Sequence, residues 1–175
     1  MIQSKIYNPE LKNMKTLKGQ ELKEAQRYIR KAADFSGESI CSKFRIGAVL
    51  EKNGKIIGKG FNGPIGKACN PCLLNLLHKG IKTELCFAMH AEERAVVDAI
   101  EKGHDTSGTT LYTTYVKNNK PTSTEDSFCA HCSRILLESD VERVVLPEKG
   151  GLSSYDINEF YDLSFDKFIE KNYIM

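Results

Sequence analysis

Apolar positions recur with a helical period from about Gly19 to Phe35, where Leu22, Ala25, Gln26, Ile29 and Ala33 fall roughly on one face. Ser36-Gly37 ends that run. The pattern then changes. Arg45–Lys52 and Lys55–Gly60 are apolar-rich stretches on either side of Asn53-Gly54. This arrangement predicts a β-hairpin, because the tight turn that fits strand twist needs positive φ at both central residues. Residues 63–86 show no period and contain Pro64, Gly66, Pro71 and three cysteines. A connection of that length is functional or is held by something other than a core.

A second helix is expected from His90 to Lys102, with Ala91, Ala95, Val96, Ala99 and Ile100 as its apolar stripe and Gly103 as its stop. Thr109–Val116 reads as a strand, residues 117–127 as a polar loop, Ala130–Ser139 as a third helix and Val141–Leu146 as a short buried strand. Helical turns are expected between Ile157 and Asn172. Helix, hairpin, helix, strand, helix, strand, helix implies an α/β fold with one mixed sheet and helices on its faces. Residues 1–18 read as an N-terminal arm, and 19–175 as a single domain.

Bulk properties narrow the class without deciding it. The chain has 175 residues, 41% hydrophobic and 27% charged, with a formal net charge of +2. These are ordinary values for a globular protein with one core. They lack the basic excess of a dedicated nucleic-acid binder. No apolar run has the length of a membrane span, and Met1–Lys5 leads into polar sequence rather than a signal peptide. A cytoplasmic protein is expected, with its six cysteines serving as metal ligands or free thiols rather than disulfides.

Chemistry concentrates in two segments. His90-Ala91-Glu92 lies where an irregular stretch meets a helix, and Cys129-Ala130-His131-Cys132 where another does. The spacing of Cys129 and Cys132 lets both sulfurs reach one ion from a first helical turn, and His90 supplies a third ligand. Three ligands leave a zinc site open at its fourth position, the arrangement of a catalytic rather than a structural zinc. Glu92 is then a carboxylate able to act as base and later as acid on a hydrolytic reaction. His131, between the cysteines, is expected to face away from the metal.

This constellation, H-x-E followed by C-x-x-C, resembles that of the cytidine/deoxycytidylate deaminase superfamily, and among its members the deoxycytidylate deaminase-like proteins. The resemblance covers most of residues 20–146 and includes Ile46–Leu50, Gly60-Phe61-Asn62-Gly63-Pro64 and Thr110–Thr114. It implies a three-layer α/β/α sandwich around a five-stranded mixed sheet that opens with the hairpin and whose last two core strands run parallel. It implies zinc-dependent hydrolytic release of ammonia from a cytosine nucleotide or nucleoside, with dCMP-like substrates favoured. Glu92 would be catalytic, and His90, Cys129 and Cys132 would hold the zinc. Asn62 would contact the sugar of the substrate, and Ala91 would lie against its base.

The chain departs from the family pattern at three places. Phe128 stands where a proline usually precedes the first zinc cysteine, and could stack near a base. The polar loop before Cys129 is longer than usual. Arg94 stands where an asparagine is usual, and could read a phosphate or serve as an ordinary helix-surface residue.

Cys41, Cys69, Cys72 and Cys86 remain. They form either a second, structural zinc site, with His78 as a substitute ligand, or a set of packed thiols. Rival functions are the same chemistry on guanine or adenosine, including adenosine in tRNA, and a zinc-stabilised interaction module without catalysis. The near-neutral charge speaks against tRNA, and Glu92 against the inert module. A homo-oligomer is expected. The aromatic-rich stretch from Tyr155 to Tyr173 packs on the core, covers the pocket or builds that interface.

Overall fold

The computed structural model describes residues 14–66, 72, 86–123 and 127–173. In chain order the elements are β1 (Lys15–Thr16), α1 (Gly19–Phe35), β2 (Ile46–Lys52), β3 (Lys55–Phe61), β4 (Gly63–Pro64), β5 (Ala88–Met89), α2 (Ala91–Glu101), β6 (Thr109–Lys117), β7 (Lys120–Thr122), α3 (Ala130–Glu138), β8 (Val141–Glu148), β9 (Gly151–Asp156) and α4 (Ile157–Tyr173). A short 3-10 turn, Ser36–Glu38, follows α1.

The central sheet runs β1-β9-β8-β6-β2-β3, and β7 pairs with the far end of β6. The β2–β3 hairpin forms as expected, with φ of 51° at Asn53 and 80° at Gly54. β6 and β8 run parallel.

The sheet differs from the sequence reading in two ways. Among the described residues the sheet has seven strands rather than five. Its extra members are short or polar: β1 draws Lys15 and Thr16 out of the expected arm onto β9, and β7 folds back from the expected loop. Asn118 and Asn119 make the β6–β7 turn with φ of 51° and 58°, another positive-φ pair. The parallel pair is not the last one either, because β9 returns antiparallel to β8. β9 escapes an apolar-pattern search because its buried positions include Ser153 and Ser154. Their hydroxyls are satisfied locally: Ser153 donates to Glu148 at 2.7 Å and Arg143 donates to Ser154 at 2.8 Å.

The central strands β2, β6 and β8 send alternate residues to two different cores. On one face α1 packs Ala25, Tyr28, Ile29 and Ala32 against Val49, Tyr112 and Val145. That stripe is rotated from the expected one. Gln26 is exposed, and Tyr28 is drawn in by its ring contact with Tyr112 at 4.7 Å and its hydrogen bond to the carbonyl of Gly54. On the other face α2, α3 and α4 cover Ala48, Leu50, Leu111, Val144 and Leu146. Leu50 and Leu111 are fully buried there, each contributing about 2 kcal/mol of hydrophobic stabilisation. Ile100, expected in the α2 stripe, is exposed.

α2 lies unusually close to β3. A Cβ at Gly58 would collide with the carbonyl of Ala95, and one at Gly60 with the carbonyl of Ala91. The glycines thus set the height of the α2 N-terminus over the sheet, and with it the position of His90.

Candidate active site

His90 is the N-cap of α2 and Cys129 the N-cap of α3, with Cys132 in the first turn of α3. The two helix ends converge. His90 Nδ1 lies 3.0 Å from Cys132 Sγ and 3.4 Å from Cys129 Sγ, and the two sulfurs are 2.9 Å apart. The backbone N–H of Cys132 donates to Cys129 Sγ at 3.2 Å, as expected where a thiolate caps a helix.

The electrostatics follow from this crowding. Cys129 is pulled down to about 4, first by the hydrogen bond from Cys132 and, after the opposing cost of burial, by His90. His90 is raised to about 9, chiefly by its hydrogen bond to Cys129 and against the pull of burial. Burial pushes the Cys132 thiol well up. Ligation of a divalent cation by these three groups would require them to release their protons. The residues fit zinc: one nitrogen and two sulfur donors, all within 4.8 Å of one another, are three corners of its usual tetrahedron.

Glu92 stands beside this trio. Its Oε2 accepts from the Cys132 thiol at 3.7 Å, and its Oε1 accepts from Thr113 Oγ1 at 2.8 Å. Burial raises its pKa above the ordinary carboxylate range. A buried carboxylate next to three metal donors, held by a hydroxyl from the sheet, is suited to moving protons.

The family described as the cytidine and deoxycytidylate deaminase zinc-binding region matches residues 22–148. The chain belongs to this family. It is 32% identical over 120 residues to a deoxycytidylate deaminase of Mycobacterium phage D29, covering 63% of this chain and 84% of that protein. It is 27% identical over 161 residues to the deoxycytidylate deaminase of Enterobacteria phage T4, covering 71% of this chain and 75% of the phage enzyme. Among solved structures it is similar to the dCMP deaminase of cyanophage S-TIM5 in complex with dCMP and dUMP, with a TM-score of 0.50, 25% identity, and coverage of 73% and 82% of the two chains. A cytidine deaminase from Burkholderia pseudomallei shares the fold, with a TM-score of 0.53 and 18% identity over 77% of this chain and 94% of that one.

In this deaminase the trio and Glu92 line a cavity of about 320 Å³. Phe128 also lines it, packing edge-on to Tyr155 at 5.3 Å and against Phe160 at 5.4 Å. Asn62 lines it too, but its side chain is heavily engaged. Its oxygen accepts from the Ile46 N–H and the Ser39 hydroxyl, and its nitrogen donates to the Phe44 carbonyl. Asn62 thereby ties the segment before β2 to the end of β3.

Two predicted substrate residues are not brought to the cavity wall. Ala91 is fully buried over Gly60. Arg94 turns to the end of β3, donating to the Phe61 and Gly63 carbonyls with its guanidinium over the Phe61 ring.

Cys41, Cys72 and Cys86 all line the cavity, while Cys69 and His78 lie outside the described residues. Among the described residues, His90, Cys129 and Cys132 are the one trio of metal-binding type with its donor atoms gathered.

Sequence reasoning missed several wall residues. Thr113 was legible only through strand parity, since it shares a face with Leu111, two residues away. His131 lines the cavity, yet its ring nitrogens meet Glu93 and Arg134 rather than joining the trio, in keeping with a residue turned from the metal. The C-terminal stretch does two of the three things considered for it. Phe160 is buried in the core, while Ser164, Lys167 and Phe168 of α4 wall the cavity. This wall lies beyond the family match. No described helix is long and apolar enough to cross a membrane.

Proposed function

We propose that this chain is a zinc-dependent hydrolytic deaminase that converts a cytosine nucleotide, dCMP-like, to its uracil counterpart and ammonia. The observation that carries the reading is the gathered His90, Cys129 and Cys132 with Glu92 beside them but engaged by Thr113. His90, Cys129 and Cys132 would hold the zinc. When bound there, zinc supplies the Lewis acidity that brings the pKa of a water toward neutrality.

Glu92 takes the proton released as the water oxygen attacks C4 of the ring. It passes that proton to N3, takes a second from the new C4 hydroxyl and delivers it to the amine, which departs as ammonia while C4 becomes the carbonyl, so a single carboxylate serves as base and as acid. Its raised pKa lets the protonated form persist between the two transfers. Thr113 holds the carboxylate in place, and Phe128, with the Lys167 ammonium 4.5 Å from its ring centre, forms part of the wall beside the trio.

A phosphate on the substrate is favoured by Lys43 and Lys167, which both line the cavity. The names of the phage relatives and the nucleotide complex of the cyanophage enzyme support the same substrate class. A second, structural zinc on Cys41, Cys69, Cys72 and Cys86 belongs to this proposal, as do a homo-oligomeric assembly and a cytoplasmic location.

The test is ammonia release from a panel of bases, nucleosides and nucleotides, with zinc content measured alongside. Glu92→Ala is expected to keep its zinc and lose about 10²–10⁴-fold in kcat. Near-normal turnover in that variant would overturn the mechanism. Zinc near two per chain, falling to one in Cys69→Ser, is the expected result for the second site, and one per chain in the parent would refute it.

A further inference from the structure

The two helix ends that carry the metal-binding residues are joined by side chains that the motif does not contain. Glu93 is the third residue of α2, and its carboxylate is used at both oxygens. Oε2 accepts the backbone N–H of His90 at 3.0 Å, closing a capping box. Oε1 lies 2.9 Å from Nε2 of His131, which sits in the first turn of α3 between Cys129 and Cys132. On its other side, His131 Nδ1 lies 3.0 Å from an Arg134 nitrogen. A guanidinium can only donate, so Nδ1 accepts and the ring proton belongs on Nε2, pointing at Glu93.

The result is a directed chain: Arg134 donates to His131, His131 donates to Glu93, and Glu93 receives the amide of His90. The Glu93 side chain is only 12% exposed, whereas His131 is 54% exposed. The carboxylate is therefore shielded and anchored, and the imidazole reaches over from the neighbouring helix.

We infer that Glu93 and His131 form a positioning clamp that fixes the separation of the α2 and α3 N-termini, and so the geometry in which His90, Cys129 and Cys132 meet zinc. The inference rests on reading the trio as a zinc site, and it assigns roles to two residues outside it. The physical need is clear. His90 stands 39 residues from Cys129, and the donor atoms come from two helices with only modest direct packing between them. A metal site built across such a seam loses affinity when the seam relaxes. Hydrogen-bonded partners behind metal ligands are typically worth about 10–100-fold in metal affinity.

Neither end of the clamp accepts a simple amide in place of Glu93. A glutamine can turn its oxygen to only one of the two donors, and its N–H₂ then faces the other. Glu93→Gln is expected to weaken zinc binding by about 10–100-fold, read by competition with a chelator of known affinity. His131→Ala, at an exposed position, is expected to weaken it in the same direction without unfolding the chain. His131→Gln, which can restore a donor near Nε2, is expected to recover most of the loss. In the Glu93→Gln/His131→Ala double variant the loss should be no greater than in Glu93→Gln alone, because the two act as one unit.

A purely structural role would lower the melting temperature of the zinc-free protein and leave zinc affinity unchanged. That outcome, or additive losses in the double variant, overturns the clamp. A parent protein that binds no zinc would instead overturn the reading of the trio itself.

Discussion

The two faces of the central sheet are built from the same strands and do different work. On the α1 face large side chains meet around a single close approach: Tyr28 on Tyr112, with Val49, Ile29 and Val145 around them, and Gly47 under the carbonyl of Ala32. On the opposite face α2 presents Ala91, Ala95 and Ala99 to Gly58 and Gly60, so that backbone nearly meets backbone. Bulky packing can adjust by small rotamer changes. A helix resting on glycines cannot, because any added atom lifts the whole element. Away from Gly47 the first face therefore supplies stability that tolerates repacking, whereas the two glycines of the second fix a helix terminus where His90 and Glu92 must be placed.

Substitutions on the two faces should separate these roles. Gly60→Ala drives a methyl into the carbonyl of Ala91, the residue after His90. A displacement of order 1 Å at a catalytic group costs about 10²-fold in rate, so activity should collapse further than stability when kcat and the denaturation midpoint are measured together. Equal losses of both would mean that the close approach is ordinary packing.

Thr113→Val removes the hydroxyl that holds Glu92 while keeping the shape of β6. A hydrogen bond to a charged group is worth about 1.5–3 kcal/mol, so kcat should fall roughly tenfold or more with KM little changed. A change confined to KM would place Thr113 on the substrate instead.

Val49→Ala makes the reverse test. It opens space beneath α1, and about 1–2 kcal/mol of stability should be lost while kcat/KM at saturating zinc stays at its parent value. A large activity loss would show that the two faces are coupled.

The smallest effect is expected at the sheet margin, where Lys52 holds Asp105 at 2.8 Å and lowers its carboxyl pKa. A lowered folded-state pKa gives stability that is present above the unfolded value and lost as pH falls through the folded one. The parent should approach the stability of Asp105→Asn only as acid is added below the ordinary aspartate value of 3.8. The exposure of this pair keeps the difference near the limit of a pH-dependent unfolding series.

Much of this architecture is legible in the sequence. Asn53-Gly54 announces the hairpin because few residues accept positive φ twice in succession. The α2 and α3 boundaries fall within a residue of the expected His90–Lys102 and Ala130–Ser139, and the H-x-E and C-x-x-C segments point to the gathered donors. β9 was invisible for a physical reason: Ser153 and Ser154 occupy buried positions through hydrogen bonds to side chains of β8 rather than through apolarity. β7 was missed because Lys120, Pro121 and Thr122 lack a buried face to leave a pattern. The hold of Arg94 on the Phe61 and Gly63 carbonyls is not legible, because spacing along a helix says nothing of which neighbouring carbonyls lie within reach of a long side chain.

The order of residues already specifies the chemistry available: one imidazole, two thiols and a free carboxylate, each placed at a helix N-terminus by local preferences. It could do so because capping and first-turn geometry depend only on residues a few positions apart. It takes the folded chain to bring the two helix ends together, to stand Thr113 under Glu92, and to let Glu93 reach His131 across the seam. Those contacts join residues 21 to 42 positions apart, and their distances depend on how closely α2 can settle on the glycines of β3.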